Sequence, residues 1–566
     1  MKTRTAFLAF SGRNRSVRRQ AFLRRFPFLK SRAFWRFFIT GITPVLQAAD
    51  WPQWGGRNER NFVADEQGLP PLFQPARTEI SNGIQTLIPG KNVKWTAPLG
   101  TQSYVTPAVS QGRIYIGSND AKVDRSRFSR TKGSVFDCLD EATGRRLWRL
   151  VIPRLKTQNK LFNFDDMDLG LCSSPTVDGG RVYIMGSRGD VLCLDIYGQA
   201  DGNARPFTDE GRYMADTRSF PDKPGRFNPT NLPDASASVA LRPDDADIIW
   251  RYDVLEKLDV WPQDAVDCSL LVYGDCLYVC VGNGVDRSHK NIPSPNAPNL
   301  IVLDKHTGAL LAVIDKPLGT SVFHGDWSSP AFSHINGKDL IFWGGGNGLC
   351  YAFDAHFEPG VQGQPGALHR VWQFDCNPPH NTFKDGHTLP YNKNSQGPSE
   401  IIATPVIVSN RIYVAVGQDS RHGPGPGCLS CIDATQTGDV TESAKIWQCF
   451  DVGRSFSSAA VTKDGLVFIA DYAGILRCLD AATGKEYWFH DLKGRVFCSP
   501  FCADGKVYIG TEAGRLTVTA ATRTKNVLAE IRFGSPIYAT PVAANGVLYI
   551  ASQRTLYAFR QAPPEP

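Results

Sequence analysis

Eight related segments fill most of this sequence, and this repetition restricts the fold more than any other feature. The clearest segment starts at Phe456 and runs through Asp464-Gly465 and Asp480 to Trp488. Its β-branched and aromatic runs are separated by Asp-Gly and Ala-Gly pairs, which tolerate the positive φ that tight hairpins need. Each segment therefore predicts four short antiparallel strands.

The other seven segments carry the same markers in the same order. They begin at Ser-Pro or Thr-Pro type pairs near residues 105–107, 173–175, 268–269, 328–330, 403–405, 498–500 and 539–541. An aspartate ends the third strand in six segments and a tryptophan lies in the outer strand of five: Asp140, Asp195, Asp304, Asp354, Asp433, Asp480; Trp148, Trp250, Trp372, Trp447, Trp488. Eight such units in tandem predict an all-β chain, folded as an eight-bladed β-propeller of four-stranded antiparallel blades.

The two ends of the repeat region complement each other. The last segment stops at Phe559-Arg560 after three strands, whereas residues 92–97, before the first segment, have the character of an outer strand. Pairing these parts would close the ring and cover strand edges that otherwise promote association. We therefore predict that residues 92–97 form the outer strand of the eighth blade.

The repeat resembles that of the PQQ-like β-propeller family, and the resemblance covers residues 92–560. This family includes eight-bladed quinoprotein alcohol dehydrogenases and a propeller lipoprotein of the outer-membrane assembly machinery. Trp51-Pro-Gln-Trp-Gly-Gly-Arg57 also resembles the start of many secreted members. The resemblance implies the fold, but one fold hosts both enzymes and scaffolds, so function has to be argued from a site.

Residues 1–48 have the order of a secretory signal, with a long basic stretch, the apolar run 37–46 and small residues at Ala48-Ala49. They hold eleven of the 62 basic residues and no acid, which leaves 51 basic against 55 acidic residues elsewhere. Residues 49–566 have no excess of basic residues of the kind that binds nucleic acid, and no apolar run long enough to span a membrane. The sequence predicts a periplasmic or otherwise extracytoplasmic protein with a signal at 1–48, an extension at 49–91, the propeller at 92–560 and a tail at 561–566.

Long insertions concentrate on one face of the predicted propeller, in blades one to five. We call it the loop-rich face; its loops are residues 119–133, 153–170, 254–266, 282–299, 315–325, 375–400 and 418–427. Long loops on a rigid scaffold are where binding usually resides. The candidate ligand-binding residues are therefore the polar and aromatic residues of these loops and their margins: Asn283, Asp286, His289, His324, Asp326, Trp327, His380, His387, Gln418, Asp419 and His422.

Five of the ten histidines lie in these loops, which suggests either a metal or catalytic cluster or ordinary turn-stabilising residues. No tight ligand spacing such as His-x₃-His occurs, and this favours the second interpretation. Asp165, Asp166 and Asp168 offer oxygen ligands for Ca²⁺, but their segment lacks the Gly and Glu of an EF-hand loop and fits a solvated acidic loop better. No metal ligand set is predicted.

The sequence favours a monomeric binding or scaffold protein that recognises a protein or glycan through the loop-rich face. The alternative is a divergent PQQ- or metal-dependent oxidoreductase, of the quinoprotein dehydrogenase type, with its site at the same face. The resemblance to the quinoprotein dehydrogenases implies a pair of adjacent cysteines that contacts the quinone. None of the 14 cysteines of this sequence is followed by another cysteine. Neither PQQ nor Ca²⁺ can therefore be assigned to particular residues.

Overall fold

The structure is a computed structural model that describes residues 49–81, 84–154, 167–203, 205–215, 237–261, 267–392, 394, 396–423 and 426–562. The predicted signal, Asp165 and Asp166 lie outside these residues. Within them, eight antiparallel sheets of four strands succeed one another along the chain, so the predicted eight-bladed propeller is confirmed. No helix in the described ranges has the length and hydropathy needed to cross a bilayer.

Blades one to four are formed, from the inner to the outer strand, by Ala108–Ser110, Arg113–Asn119, Ser134–Asp140 and Arg146–Ile152; Thr176–Asp178, Arg181–Gly186, Asp190–Asp195 and Ile248–Asp253; Leu271–Tyr273, Cys276–Cys280, Leu300–Asp304 and Leu310–Ile314; Ala331–Ile335, Lys338–Gly344, Leu349–Asp354 and Arg370–Asp375. Blades three and four each gain a short parallel fifth strand, Gly366–Leu368 and Gly438–Asp439.

Blades five to eight follow as Val406–Val408, Arg411–Val416, Cys428–Asp433 and Lys445–Cys449; Ala460–Val461, Leu466–Ala470, Ile475–Asp480 and Glu486–Asp491; Phe501–Ala503, Lys506–Gly510, Arg515–Ala520 and Val527–Arg532; Val542–Ala544, Val547–Ala551, Thr555–Phe559 and Val93–Pro98. The described residues also form two hairpins, Arg77–Ser81 with Ile84–Ile88 and Phe383–Lys384 with His387–Thr388, and three short α-helices, Glu210–Ala215, Val254–Leu258 and Pro379–Thr382.

The ring closes as predicted. Val93–Pro98 pairs antiparallel with Thr555–Phe559 and supplies the outer strand that the eighth repeat lacks. Trp95 in this strand donates its indole N–H to the Glu141 carbonyl of blade one, at 3.0 Å. The outer-strand tryptophans at 148, 250, 372, 447 and 488 donate in the same way to the next blade, at 2.9–3.4 Å. The recurrent tryptophan therefore links six of the eight blades to the blade that follows.

A ring of hydroxyl groups surrounds the channel at the start of the inner strands. We call the eight buried Ser and Thr residues at these positions the hydroxyl ring: Thr106, Ser174, Ser269, Ser329, Thr404, Ser458, Ser499 and Thr540. At seven of the eight junctions the backbone N–H of one member donates to the hydroxyl of the next, at 2.9–3.1 Å. At the eighth junction, Thr404 accepts from the Trp54 indole instead, at 3.0 Å. The Ser/Thr of the repeat thus links neighbouring blades around the axis.

Residues 50–66, which we call the strap, cross the channel below the hydroxyl ring. In seven blades the strap forms hydrogen bonds with the backbone of the residue three positions after the Ser or Thr of the hydroxyl ring. These residues are Val109, Val177, Val272, Phe332, Ile407, Val461 and Cys502. Glu66 reaches the eighth blade, where it accepts from the backbone N–H groups of Asn545 and Gly546. One short segment therefore contacts every blade in turn and closes that end of the channel.

The Trp-Gly-Gly-Arg motif gives the strap its tight turn. Gly55 and Gly56 have φ values of 71° and 72°, and a β-carbon on Gly55 would lie 2.5 Å from the Arg60 backbone. The fully buried Arg60 guanidinium donates to the carbonyls of Trp54, Leu270 and Pro330 at 2.7–2.9 Å. The guanidinium thus joins the turn to blades three and four.

The hydroxyl ring permits a direct test at the junction between blades seven and eight. Thr540→Val keeps the side-chain shape but leaves the buried Ser499 N–H without its acceptor, so we expect a loss of about 2 kcal/mol in the free energy of unfolding. Denaturant unfolding of both proteins measures it. Thr540→Ser retains the hydroxyl and should lose clearly less; equal losses in the two variants would contradict the role of the hydrogen bond.

Candidate metal centre in the central cavity

A cavity of about 650 Å³ lies in the channel on the side of the hydroxyl ring away from the strap. The position two residues before each ring hydroxyl lines it in all eight blades. We call these side chains the collar: Tyr104, Cys172, Asp267, Trp327, Ile402, Phe456, Phe497 and Tyr538. The other lining residues include the loop residues His289, Asp419 and His422, and Trp54 of the strap. The cavity therefore faces the loop-rich face.

Three histidines from different loops meet at this cavity. His289 comes from a loop within blade three, His324 from the connection between blades three and four, and His422 from a loop within blade five. Their rings are buried, and one nitrogen from each lies within 4.8 Å of the others. The ring centroids are 5.0 Å apart for His289 and His324, 4.4 Å for His289 and His422, and 5.0 Å for His324 and His422. Three loops thus bring three imidazoles to one point.

Contacts behind the cluster orient two of these rings. Nδ1 of His289 lies 2.8 Å from the Phe323 carbonyl; this contact requires a proton on Nδ1, and in the neutral ring it leaves Nε2 with its lone pair. Nδ1 of His422 lies 3.4 Å from the Tyr391 hydroxyl, and that hydroxyl donates to Glu400 at 3.0 Å. Imidazoles that bind metals usually donate their other N–H to such a partner. The surroundings of both rings fit this arrangement.

His324 is 2% exposed, and its Nδ1 has no hydrogen-bond partner among the described residues. Burial, followed by the neighbouring imidazoles of His289 and His422, holds the pKa of His324 well below its usual value of 6.5. The ring is therefore neutral near pH 7, the form that binds metal ions.

The donor set fits a transition-metal ion. An ion at the centre of an equilateral triangle of nitrogens 4.8 Å apart would lie about 2.8 Å from each, so movements of about 0.7 Å give the 2.0–2.1 Å bonds of Zn²⁺. Imidazole nitrogens suit Zn, Cu, Fe and Ni, whereas Ca²⁺ prefers oxygen. Three protein ligands also leave a position open for water or substrate.

Several other candidate residues support the loops around the cluster. Asn283 donates to the Gly319 and Val322 carbonyls at 2.9 Å, and Asp286 accepts from Ser288 and Asn291 in the turn that carries His289. Asp326 is fully buried and accepts from Asn299 and the Gly346 N–H, while burial raises its pKa to about 6. These side chains hold the loops in place rather than line the cavity.

The remaining candidates divide between the cavity and the surface. Trp327 lines the cavity, with its ring 4.6 Å from that of His324, and Asp419 lines it beside His422. Gln418 is fully buried but does not line the cavity. His380 and His387 are exposed and lie outside the cluster. Of the five loop histidines, the structure therefore brings together three.

Two carboxyl groups near the cluster were not among the sequence candidates. Asp267 belongs to the collar; burial raises its pKa to about 6, and its carboxyl group is hydrogen-bonded to the Cys172 side chain. Glu400 is fully buried behind Tyr391, and burial raises its pKa to about 8. The register of Asp267, two residues before Ser269, is readable from the aligned repeats, whereas Glu400 lies in an irregular loop.

The comparisons with known proteins agree with this architecture. A family model described as outer membrane protein assembly factor BamB matches residues 93–356 and 438–528, more than half of the chain. The chain belongs to this PQQ-like β-propeller family. No curated protein sequence matches the chain at a significant level.

Many solved structures resemble this PQQ-like propeller, among them three of 11–15% sequence identity. BamB from Moraxella catarrhalis is 12% identical, with a TM-score of 0.47, covering 83% of this chain and 98% of that one. The computationally designed Ika8 protein is 11% identical, with a TM-score of 0.44 and coverages of 83% and 100%. Quinohemoprotein alcohol dehydrogenase from Comamonas testosteroni is 15% identical, with a TM-score of 0.42 and coverages of 92% and 82%.

The PQQ and Ca²⁺ that the family name suggests do not fit the residues of this cavity. The collar contributes one cysteine, Cys172, rather than an adjacent pair, and the converging donors are imidazole nitrogens rather than the oxygens that Ca²⁺ requires. The donor set of this PQQ-like propeller therefore matches a softer metal ion better than the quinone with Ca²⁺.

Proposed function

We propose that the protein binds a transition-metal ion through His289, His324 and His422 and uses it to bind and transform a small molecule in the central cavity. The observation that carries this proposal is the convergence of three buried imidazoles on one point. Neutral ligands leave the ion its full positive charge, which polarises a bound group. Zn²⁺ would activate water or a carbonyl, whereas Cu or Fe would also transfer electrons, as in a metal-dependent oxidoreductase.

Binding without chemistry is the second candidate function. The loop-rich face would then recognise a protein or a glycan, as expected for an exported monomeric scaffold. The aromatic residues of the collar favour it, because partly exposed aromatic side chains inside a cavity offer a surface for a ligand. The metal content of the protein separates the two candidates.

The metal proposal is tested on the exported protein, purified without chelator or histidine tag and analysed by inductively coupled plasma mass spectrometry. We expect one equivalent of Zn, Cu, Fe or Ni. After dialysis against chelator, we expect one equivalent of Zn²⁺ to rebind and raise Tm. A protein that neither contains nor rebinds metal would contradict the proposal and leave binding as the function.

Variants locate the metal. We expect His324→Ala and His422→Ala to lose the metal while the metal-free proteins melt within a few degrees of the metal-free parent, since both rings contact loop residues rather than the strands of the blades. His380→Ala, at an exposed loop histidine, is the matched control and should retain it. Metal retained by both cluster variants would place the ion elsewhere, and a large drop in Tm would assign the histidines to the fold.

A further inference from the structure

The collar has a composition that the repeat does not require. Five of its eight members are aromatic, and one, Asp267, is charged. The position carries eight side chains with no common chemistry, so it does not serve the fold in the way that the tryptophan and the ring hydroxyls do. Its composition is therefore informative about what the cavity binds.

Four collar aromatics form a continuous wall across blades six, seven, eight and one. Tyr104 stacks on Tyr538 at 5.0 Å with an interplanar angle of 2°, Tyr538 contacts Phe497 at 4.7 Å, and Phe497 contacts Phe456 at 5.5 Å. Tyr472, from a loop of blade six, extends the wall. All five are partly exposed, and all line the cavity. This aromatic wall occupies one half of the channel.

The opposite half offers hydrogen bonds. In a ring of eight blades, blades three to five lie across the axis from the aromatic wall, and they supply Asp267 and the three histidines. Asp267 lines the cavity and is half-buried, so its carboxyl group is placed to accept hydrogen bonds from a ligand. A ligand that suits both halves has a flat, weakly polar face and a hydroxyl-rich edge.

We propose that the cavity binds the terminal ring of a neutral glycan, stacked on the aromatic wall with its hydroxyl groups directed to Asp267 and the histidine side. The C–H groups on the face of a sugar ring carry partial positive charge from the neighbouring oxygens, and the negative face of an aromatic ring attracts them. The sugar hydroxyls donate to the carboxylate. The glycan would be the ligand of the proposed function, and any chemistry on it rests on that function. Glycan binding itself does not require the metal ion.

The strap limits which part of a glycan can enter. Trp54 of the strap lines the cavity on the side of the hydroxyl ring and donates a hydrogen bond to Thr404 of that ring. The strap as a whole contacts all eight blades. A chain cannot thread through a channel closed in this way, so the cavity accepts a chain end. A volume of about 650 Å³ is in the range of cavities that hold a small ligand, which suits a short oligosaccharide.

Other ligand classes fit less well. The lining contains three arginines and three acids, Arg287, Arg421 and Arg495 with Asp267, Asp419 and Glu512, so without a bound metal ion it has no net charge to select an anion. A bound metal ion would repel a quaternary ammonium group, although the aromatic wall alone would attract one. A purely apolar molecule would make no hydrogen bond to the polar half of the cavity.

Binding is tested with the full mature chain on an array of neutral oligosaccharides, followed by titration calorimetry with the best of them, in metal-free and metal-loaded protein. We expect millimolar or tighter binding in both forms, stronger for oligosaccharides that present the matching end. Benzyltrimethylammonium and benzoate are the competing probes. Absence of binding to every neutral glycan, or tighter binding of either competing probe, would overturn the proposal.

Two variants test whether each half of the cavity contributes to glycan binding. We expect Tyr538→Ala to weaken glycan binding about tenfold by removing a stacking surface, and Asp267→Asn to weaken it about tenfold or more by removing a charged acceptor. Phe489→Ala, at an exposed aromatic on the outer strand of blade six, is the control and should bind normally. The variants should keep the metal content of the parent, so failure of the glycan proposal is distinguishable from failure of the metal proposal. Unchanged affinity in both variants would place the glycan outside the cavity.

Discussion

A chain shortened to begin at Gly100 is expected to lose cooperative folding, compared with a chain that begins at Ala49. The deletion removes both the outer strand of blade eight and the strap, so it opens the ring at one junction and removes contacts with every blade. The deleted residues also include the buried Trp51, Phe62, Phe73 and Trp95, and each large apolar side chain contributes about 1.5–3 kcal/mol. Their total of about 6–12 kcal/mol is comparable with the whole stability of a typical domain, about 5–15 kcal/mol. Circular dichroism melting and limited proteolysis measure the effect.

A second deletion distinguishes the contribution of the outer strand of blade eight to stability from that of the strap. A chain that begins at Lys91 keeps Val93–Pro98 and the closed ring but lacks the strap. We expect this protein to fold with a clearly lower Tm, because the blade-to-blade hydrogen bonds remain while the channel end is uncovered. If the chain beginning at Gly100 melted no lower than the chain beginning at Ala49, the closing role of residues 92–97 would be refuted.

Glu400→Gln is expected to stabilise the protein by about 5 kcal/mol at pH 9 and to have little effect at pH 4. Burial raises the pKa of Glu400 from 4.5 to about 8, so the folded protein favours the protonated carboxyl. The resulting stability is fully present below pH 4.5 and is lost as the pH rises through 8. A shift of this size corresponds to about 5 kcal/mol. Gln mimics the protonated form at every pH and removes this loss.

Denaturant unfolding of metal-free protein between pH 4 and 9 tests this expectation without interference from metal binding. The free energy of unfolding of the parent should fall relative to that of Glu400→Gln across this range. Glu442→Gln, the same change at a glutamate whose side chain is 85% exposed, should follow the parent. Parallel profiles for the parent and Glu400→Gln would mean that Glu400 is solvated in the folded protein.

The sequence predicts the propeller and its closure because both depend on local patterns. Most blades are recognisable in the sequence from turn glycines, a third-strand aspartate or an outer-strand tryptophan, and the eighth repeat lacks one strand. The strap is not predictable in this way. Residues 50–66 have no strand periodicity, and their partners, such as Val109 and Cys502, are recognisable only once all eight inner strands are in place.

The histidine cluster is a second feature that the sequence does not predict. Metal sites within one helix or hairpin have a fixed spacing in sequence, but His289, His324 and His422 lie on three loops that meet only because the blades surround one axis. The choice of the loop-rich face narrows the search, yet it does not separate these histidines from His380 and His387. The collar is different, because its register is visible in the repeats once the ring hydroxyls are aligned.

The strap also sets the order in which the molecule can be completed. Its residues leave the ribosome before any blade, yet the bonds from Glu66 to Asn545 and Gly546 join positions 479 and 480 residues apart. The final blade must therefore be made before the strap can complete its contacts, and such distant contacts slow folding. We expect the channel end to seal in the last folding step, so that the newly made chain stays open until it is full length.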